Sequence, residues 1–244
     1  MMSVDMLWNE TQRHFYNSRD HRRMWFAQNS FFVKNILEGF ISFTRLDPTW
    51  RILELGCGAG RYTIPLVQRG FNIMALDISE RMLSKFKKDA EGLHLSTHQY
   101  QLICGDLNSL SINNKNRFDA IIGFNVLHHL YDVQVSLQKT STYLREGGVI
   151  AFLEPHAINF LHCVDTILDR GWKAEGNKFK SLPENIRTAM DKNNFKNIEY
   201  KRFGFFPPFF IDHFPILLKY EHSIEEKKCF DRILPYFMIK GIKS

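Results

Sequence analysis

The sequence predicts an α/β protein built on a doubly wound, mostly parallel sheet of seven strands, with helices on both faces. Three observations carry that expectation. From residue 51 onward, short apolar runs alternate with helical segments, the pattern of parallel strands joined by crossover helices. A glycine-rich turn, "ELGCGAGRYT", follows the first apolar run, at the carboxyl end of a strand where open α/β sheets bind ligands. Two more strand-like runs close the chain and suit an antiparallel pair at one sheet edge.

Taken in order, residues 1–47 read as helical. In "MWFAQNSFFVKNILEGFISF", Phe32, Ile36 and Phe40, with Val33 and Leu37, recur at helical spacing. "RILEL" is the first strand, followed by a helix over about 61–69 that Gly70 closes, and then by "FNIMALD". Ser79 suits the N-cap of the next helix, which sets Met82, Leu83 and Phe86 on one face. "YQLICGD", "FDAIIGFN" and "GGVIAFLE" are the third to fifth strands, and a helix over about 133–144 is expected to stop at Gly147-Gly148. "SLPE" reads as a capping box, Ser181 with Glu184, opening a helix to about 193. "KNIEYKRFGFF" and "LPYFMIKGIK" are the last strands, separated by a helical stretch near 214–232. The expected organisation is one domain over 1–244: an N-terminal helical cap (1–47), a ligand-binding core (48–155), a lid (156–180) and a helix-strand completion of the sheet (181–244).

Bulk properties narrow the function. With 244 residues and 44% hydrophobic content, the chain can bury a full core. No run approaches the ~20 apolar residues of a membrane span. Charged residues from Asp5 to Asp20 leave no apolar core for a signal peptide. Cys57, Cys104, Cys163 and Cys229 lie far apart with no C-x-x-C pair. That argues against a zinc ribbon or a disulfide framework and fits a reducing, cytoplasmic setting. Net charge is +6, and residues 155–244 hold fifteen Lys/Arg against eleven Asp/Glu. The excess is scattered, whereas a nucleic-acid footprint is a concentrated stripe.

The glycine turn implies a close-approaching ligand. Gly56, Gly58 and Gly60 permit positive φ and remove Cβ atoms from the strand exit, and the following helix N-terminus offers unpaired N–H groups to an anionic group. Asp77 ends the second strand, where an acid can accept from a ribose diol. Asp106 ends the third, where it can accept from an exocyclic amine with Leu107 against a ring. The glycine spacing is G-x-G-x-G followed by Arg61 and preceded by Glu54, not the G-x-G-x-x-G/A of dinucleotide binders.

With these motifs in this order, residues 45–155 resemble the class I S-adenosylmethionine-dependent methyltransferases, of the small-molecule type. The resemblance implies a Rossmann-like fold with S-adenosyl-L-methionine as cofactor. It implies that Glu54, Gly56, Cys57, Gly58 and Gly60 shape the pocket for the methionine part. Asp77 would grip the ribose, Ile78 would lie beside the adenine, and Asp106 with Leu107 would recognise it. Asn125, in "FDAIIGFNVLHHL", would sit beside the sulfonium. "LREGGVIAFLEP" resembles the turn and fifth strand that follow.

A methyl group on a sulfonium is already activated, so an amine acceptor needs little more than orientation. A hydroxyl acceptor needs a base. His128 and His129, three and four residues past Asn125, are the candidate catalytic residues, His128 being preferred. Glu154 and His156 flank Pro155 at the end of the fifth strand and read as a structural turn, with substrate contact as the alternative. The one H-x-x-x-H pair, His94 and His98, precedes the third strand, so no metal site is expected. No Asn/Asp-Pro-Pro-aromatic motif and no Pro-Cys dipeptide occurs, which argues against the nucleic-acid base methylating groups that use them. The expected acceptor is a small, partly apolar molecule taking the methyl on O or N. An RNA or protein acceptor, and a cofactor-binding pseudoenzyme, are the alternatives. "FGFFPPFFIDHFP" (203–215) holds six phenylalanines and three prolines. It reads as a strand exit plus a core-facing helix, with an acceptor wall or a membrane-surface contact through 203–219 as the sharper option. Tyr16, Arg22, Arg23 and Trp25 are candidates to close over the cofactor.

Overall fold

The computed structural model describes residues 4–18, 30–107, 118–156, 181–227 and 233–244. All of the lid expected over 156–180 except His156, and Arg22, Arg23, Trp25, Cys163 and Cys229, lie outside the described residues.

The apolar runs pair into a seven-stranded sheet. Its strands are β1 (Arg51–Leu55), β2 (Asn72–Asp77), β3 (Tyr100–Cys104), β4 (Phe118–Phe124), β5 (Leu144–Pro155), β6 (Phe195–Phe203) and β7 (Tyr236–Lys243), in the order β3-β2-β1-β4-β5-β7-β6. β1 to β5 pair with one another in parallel, and β7 runs antiparallel to both β5 and β6. The order reverses at β1, whose carboxyl end therefore opens a crevice between β2 and β4, the usual ligand position in such sheets.

The helices are α1 (Val4–Ser18), α2 (Phe31–Thr44), α3 (Thr63–Gln68), α4 (Glu80–Gly92), α5 (Val133–Ser141), α6 (Pro183–Lys192), α7 (Pro208–His213) and α8 (Leu217–Glu225). Alternate strand residues feed two cores, because successive side chains point to opposite faces. Ile52, Ile73, Ala75, Ile122 and Leu153 join Phe32, Phe40, Leu66 and Phe86 from α2, α3 and α4. Leu53, Leu55, Ile121, Ile150 and Phe152 join Leu137 and Ile186 from α5 and α6. The helical stripe read in α2 is the buried one: Phe32, Val33, Ile36, Leu37 and Phe40 are all inside. Ser79 caps α4 as expected, its side chain accepting from the Met82 N–H.

Three local expectations are corrected. α5 ends at Ser141, and β5 already begins at Leu144. Gly147, at φ +71°, therefore serves not as a helix stop but inside the register shift between Phe118 and Ala120 on the paired strand. Ser181 is not a cap: Leu182 is the N-cap residue of α6 with no side-chain bond. Pro183 enters the first turn, where its fixed φ and missing N–H suit that position. The stretch near 214–232 begins earlier as α7 and α8, and α7 is not core-facing: only Ile211 of it is buried.

Candidate functional site

The crevice starts from the glycine turn. The N–H groups of Gly56 and Cys57 both donate to Leu76 O (2.8 and 3.1 Å), tying the turn to β2. The three glycines have different jobs, although all have positive φ. A Cβ on Gly56 would lie 2.5 Å from the Val126 side chain, and one on Gly60 would lie 2.6 Å from Phe86. Those two positions are closed by the protein's own packing. At Gly58 the nearest atom is the flexible end of Met82, at 3.4 Å. Gly58 is thus the glycine with room beside it.

Asp77 and Ser79 hold this turn in shape. One Asp77 carboxylate oxygen accepts from Gly58 N (2.7 Å) and the other from Ser79 N (2.9 Å). Glu54, at the end of β1, is fully buried, and its Oε2 has no hydrogen-bond partner. Burial pushes this carboxyl up to about 8, opposed by the neighbouring Thr63 hydroxyl and reinforced by the Asp77 charge. The buried Cys57 thiol is raised well above its ordinary value by burial first and then by Asp77 and Glu54. A buried carboxyl with one oxygen left open, four residues before Gly58, suits a ligand carrying positive charge. Ile78 is half-buried beside Asp77, while Leu107 is packed into the second core with Leu53 and Leu76.

The opposite wall comes from the end of β4. Asn125 adopts φ +53° and donates its N–H to Leu153 O (2.7 Å), a left-handed conformation that asparagine tolerates better than most residues. This turns the chain into a short 3₁₀ turn, Leu127–His129. Glu154, fully buried at the end of β5, organises that turn. Its Oε1 accepts from Val126 N and Leu127 N (2.7 and 2.8 Å), and its Oε2 lies 2.7 Å from His128 Nδ1. His128 is itself buried and its ring lies tilted against that of His129, ring centres 4.0 Å apart. His156 is buried nearby, its N–H on Pro235 O. Its basicity is lowered by burial and then by Arg202, with Glu184 opposing.

Helix α1 lies across these loops. Trp8 Nε1 donates to His129 O (2.7 Å), Asn9 Nδ2 to Asp106 Oδ2 (2.7 Å), and the Tyr16 hydroxyl meets His129 Nε2 at 2.8 Å. Asn17 Oδ1 accepts from the Ser79 hydroxyl, and Asn17 O from Arg81. One helix thus bridges the ends of β2, β3 and β4. Of the sequence-predicted residues, the structure brings Glu54, the glycines, Asp77, Asp106, Asn125, His128 and His129 to one edge. Sequence reasoning named Tyr16 but missed Trp8, Asn9 and Asn17, for which no motif exists. It also set Glu154 aside, though an acid ending the apolar strand "VIAFLE" must find partners or stay neutral. Among the described residues no group of three acids, histidines or cysteines could hold a metal ion.

Residues 53–152 match the family described as a methyltransferase domain. This chain carries a class I S-adenosylmethionine-dependent methyltransferase domain. The ubiquinone biosynthesis O-methyltransferase of Nitrobacter winogradskyi is 29% identical over 124 residues, 51% of this chain and 41% of that protein. The chain therefore spans about two fifths of the length of that curated relative. Among solved structures, magnesium protoporphyrin IX methyltransferase from Synechocystis PCC 6803 with bound SAH superposes with TM-score 0.65 at 17% identity. That match covers 97% of this chain and all of the other. The [4+2]-cyclase SpnF also gives TM-score 0.65, at 16% identity over 99% of this chain and 97% of its own. These likenesses fix the fold of the methyltransferase domain, and its chemistry must be argued from the site.

Proposed function

We propose that the chain moves a methyl group from S-adenosylmethionine to a hydroxyl oxygen of a small, partly apolar molecule. The observation that carries this reading is the buried His128–Glu154 pair at the same edge as the glycine turn. A neutral amine attacks through its own lone pair without such a pair, whereas a hydroxyl needs its proton removed as it attacks. The Nitrobacter relative, an O-methyltransferase, supports this reading.

In this reading Glu54, Gly56, Cys57, Gly58 and Gly60 hold the methionine part, with Glu54 turning anionic beside its ammonium. Asp77 keeps its bonds to Gly58 and Ser79 and accepts the ribose hydroxyls with its remaining lone pairs. Asp106 and Ile78 line the adenine end, with Leu107 supporting them from the core. The bound cofactor supplies a methyl group already activated by its sulfonium. Asn125 orients the reacting centre. Glu154 fixes a proton on His128 Nδ1, leaving Nε2 as the basic atom that takes the acceptor's hydroxyl proton. His129, through Tyr16, keeps α1 over the crevice and excludes water.

The test is in two parts. Saturating S-adenosylmethionine or its demethylated product should raise the melting temperature, and labelled methyl should pass to members of a panel of apolar phenols. Absence of any melting shift with either compound refutes the cofactor assignment. A second reading, a cofactor-binding protein with other chemistry, is favoured by the fold shared with a cyclase. A melting shift without transfer to any oxygen or nitrogen acceptor would support it. Tight, salt-dependent RNA binding would instead favour a macromolecular acceptor.

A further inference from the structure

Pro155 at the end of β5 and Phe203 at the end of β6 both pair with Tyr236. The two strands therefore finish at the same end of the sheet, and the chain leaving β6 emerges at that end, two strand positions from β5. That chain, residues 204–220, is "GFFPPFFIDHFPILLKY". It is held at both ends. Phe206 N donates to the buried Glu221 and Gly204 N to Glu225. Ile211 is fully buried, and Asp212 Oδ1 accepts from Phe32 N at the start of α2 (2.8 Å).

Held this way, α7 and α8 turn their large apolar side chains to water. Phe209 is 61% exposed, Phe214 56%, Ile216 66% and Tyr220 58%. Phe31, beside the α2–α7 contact, is 44% exposed. Scattered exposure of single apolar residues is ordinary, but a run of them along two adjoining short helices and the link between them marks a contact surface. Its charges are one-sided. Asp212 is the sole acid between 204 and 220, and it is engaged with α2. Exposed beside the aromatics are His213 and Lys219, with Lys34 one turn along α2 from Phe31.

We propose that this surface seats the protein on an anionic phospholipid bilayer. Phe209, Phe210, Phe214 and Ile216 enter the interface, Tyr220 stays at headgroup depth, and Lys34 and Lys219 face lipid phosphates. The charge pattern favours a lipid surface over a second copy of the chain. A symmetric self-contact would set lysines against lysines with no exposed acid of this stretch to answer them. The inference goes beyond methyl transfer and does not depend on it. Its consequence for the site is that this end of the sheet faces the bilayer, so an apolar acceptor can arrive from the lipid.

The experiment is co-sedimentation of the full chain with vesicles of phosphatidylcholine alone, or with about a quarter phosphatidylglycerol. Hydrogen exchange of residues 205–220 is followed in parallel. The expected result is binding to the anionic vesicles, weakened by salt, with new protection confined to 205–220. Phe209→Ser/Phe214→Ser should lower partitioning about a hundredfold, about tenfold for each aromatic kept in water. Lys34→Glu/Lys219→Glu should remove the preference for anionic lipid. Both variants alter exposed positions and should keep the wild-type melting temperature. Wild-type protein that stays in the supernatant with both vesicle types, or shows no added protection at 205–220, overturns the proposal. So does a dimer that the serine pair dissociates, since the face would then belong to a second copy.

Discussion

Glu154→Gln separates the two jobs of one buried carboxylate. In the wild type Glu154 accepts three hydrogen bonds, from Val126 N, Leu127 N and His128 Nδ1. Glutamine keeps a carbonyl oxygen for the two backbone donors, but its amide must donate where the carboxylate accepted. His128 Nδ1 then becomes the acceptor and the proton moves to Nε2, so the ring presents a donor where a base is needed. The stability cost should be small, about 1 kcal/mol for one altered bond. The catalytic cost should be large, about 10²- to 10⁴-fold in kcat, because general-base assistance is lost. Glu154→Ala gives the contrasting outcome. Two backbone N–H groups and an imidazole N–H lose their buried partner, at about 1–3 kcal/mol each before relaxation, so the melting temperature should fall by several degrees or more. The assays are thermal melting, binding of S-adenosylmethionine and single-turnover methyl transfer across pH 5.5 to 9. Glu154→Gln should leave donor affinity nearly unchanged while lowering the transfer rate across the whole range. If it transfers methyl within a few-fold of wild type with the same pH profile, the base assignment is refuted and the pair is structural.

Three further outcomes follow from the same geometry. Asp77→Ala should weaken donor binding by about 1–3 kcal/mol through lost charge-assisted bonds, read by calorimetry; unchanged affinity would remove Asp77 from the ribose role. Gly58→Ala meets only Met82 at 3.4 Å whereas Gly56→Ala meets Val126 at 2.5 Å, so Gly56→Ala should lower the melting temperature far more, and Gly58→Ala should chiefly cost donor affinity. The third concerns pH. Glu54 is raised from 4.5 to about 8 in the fold, so its protonated form is favoured there. Its contribution is fully present below pH 4.5 and is lost as pH rises through about 8, by up to about 1.4 kcal/mol per unit. Urea unfolding at pH 5.5 and 7.5 should show a steeper loss for wild type than for Glu54→Gln, and equal slopes would refute the assignment. Donor binding should release protons near neutral pH as Glu54 turns anionic.

Much of this was legible in the sequence because period and spacing are local signals. Alternating apolar runs announced the seven strands. G-x-G-x-G with Glu54 before it and Asp77 after it announced the crevice, since each lies at a strand end. What escaped depended on distant partners. Asn9 reaches Asp106 across 97 positions and Trp8 reaches His129 across 121, and a short amphipathic helix gives no hint of its target. Glu154 looked like a turn residue because its three donors come from another strand's exit. The "FFPPFFIDHFP" run resembled core because phenylalanine usually is core. Its exposure follows from Ile211 and Asp212 taking the inward positions. "SLPE" failed because Pro183 fixes the start of α6 at the next residue.

Val126 links two loops that otherwise belong to different tasks. Its side chain lies where a Cβ on Gly56 or on Gly123 would be, at 2.5 and 2.6 Å, while its N–H rests on Glu154. The glycine turn and the His128 turn are therefore two sides of a single partition one residue thick. Enlarging the acceptor chamber by trimming Val126 would loosen the glycine turn, and enlarging Val126 would push both apart. Change at this position is constrained from both sides at once. Change is freer at α1, which lies on the same loops without forming that partition.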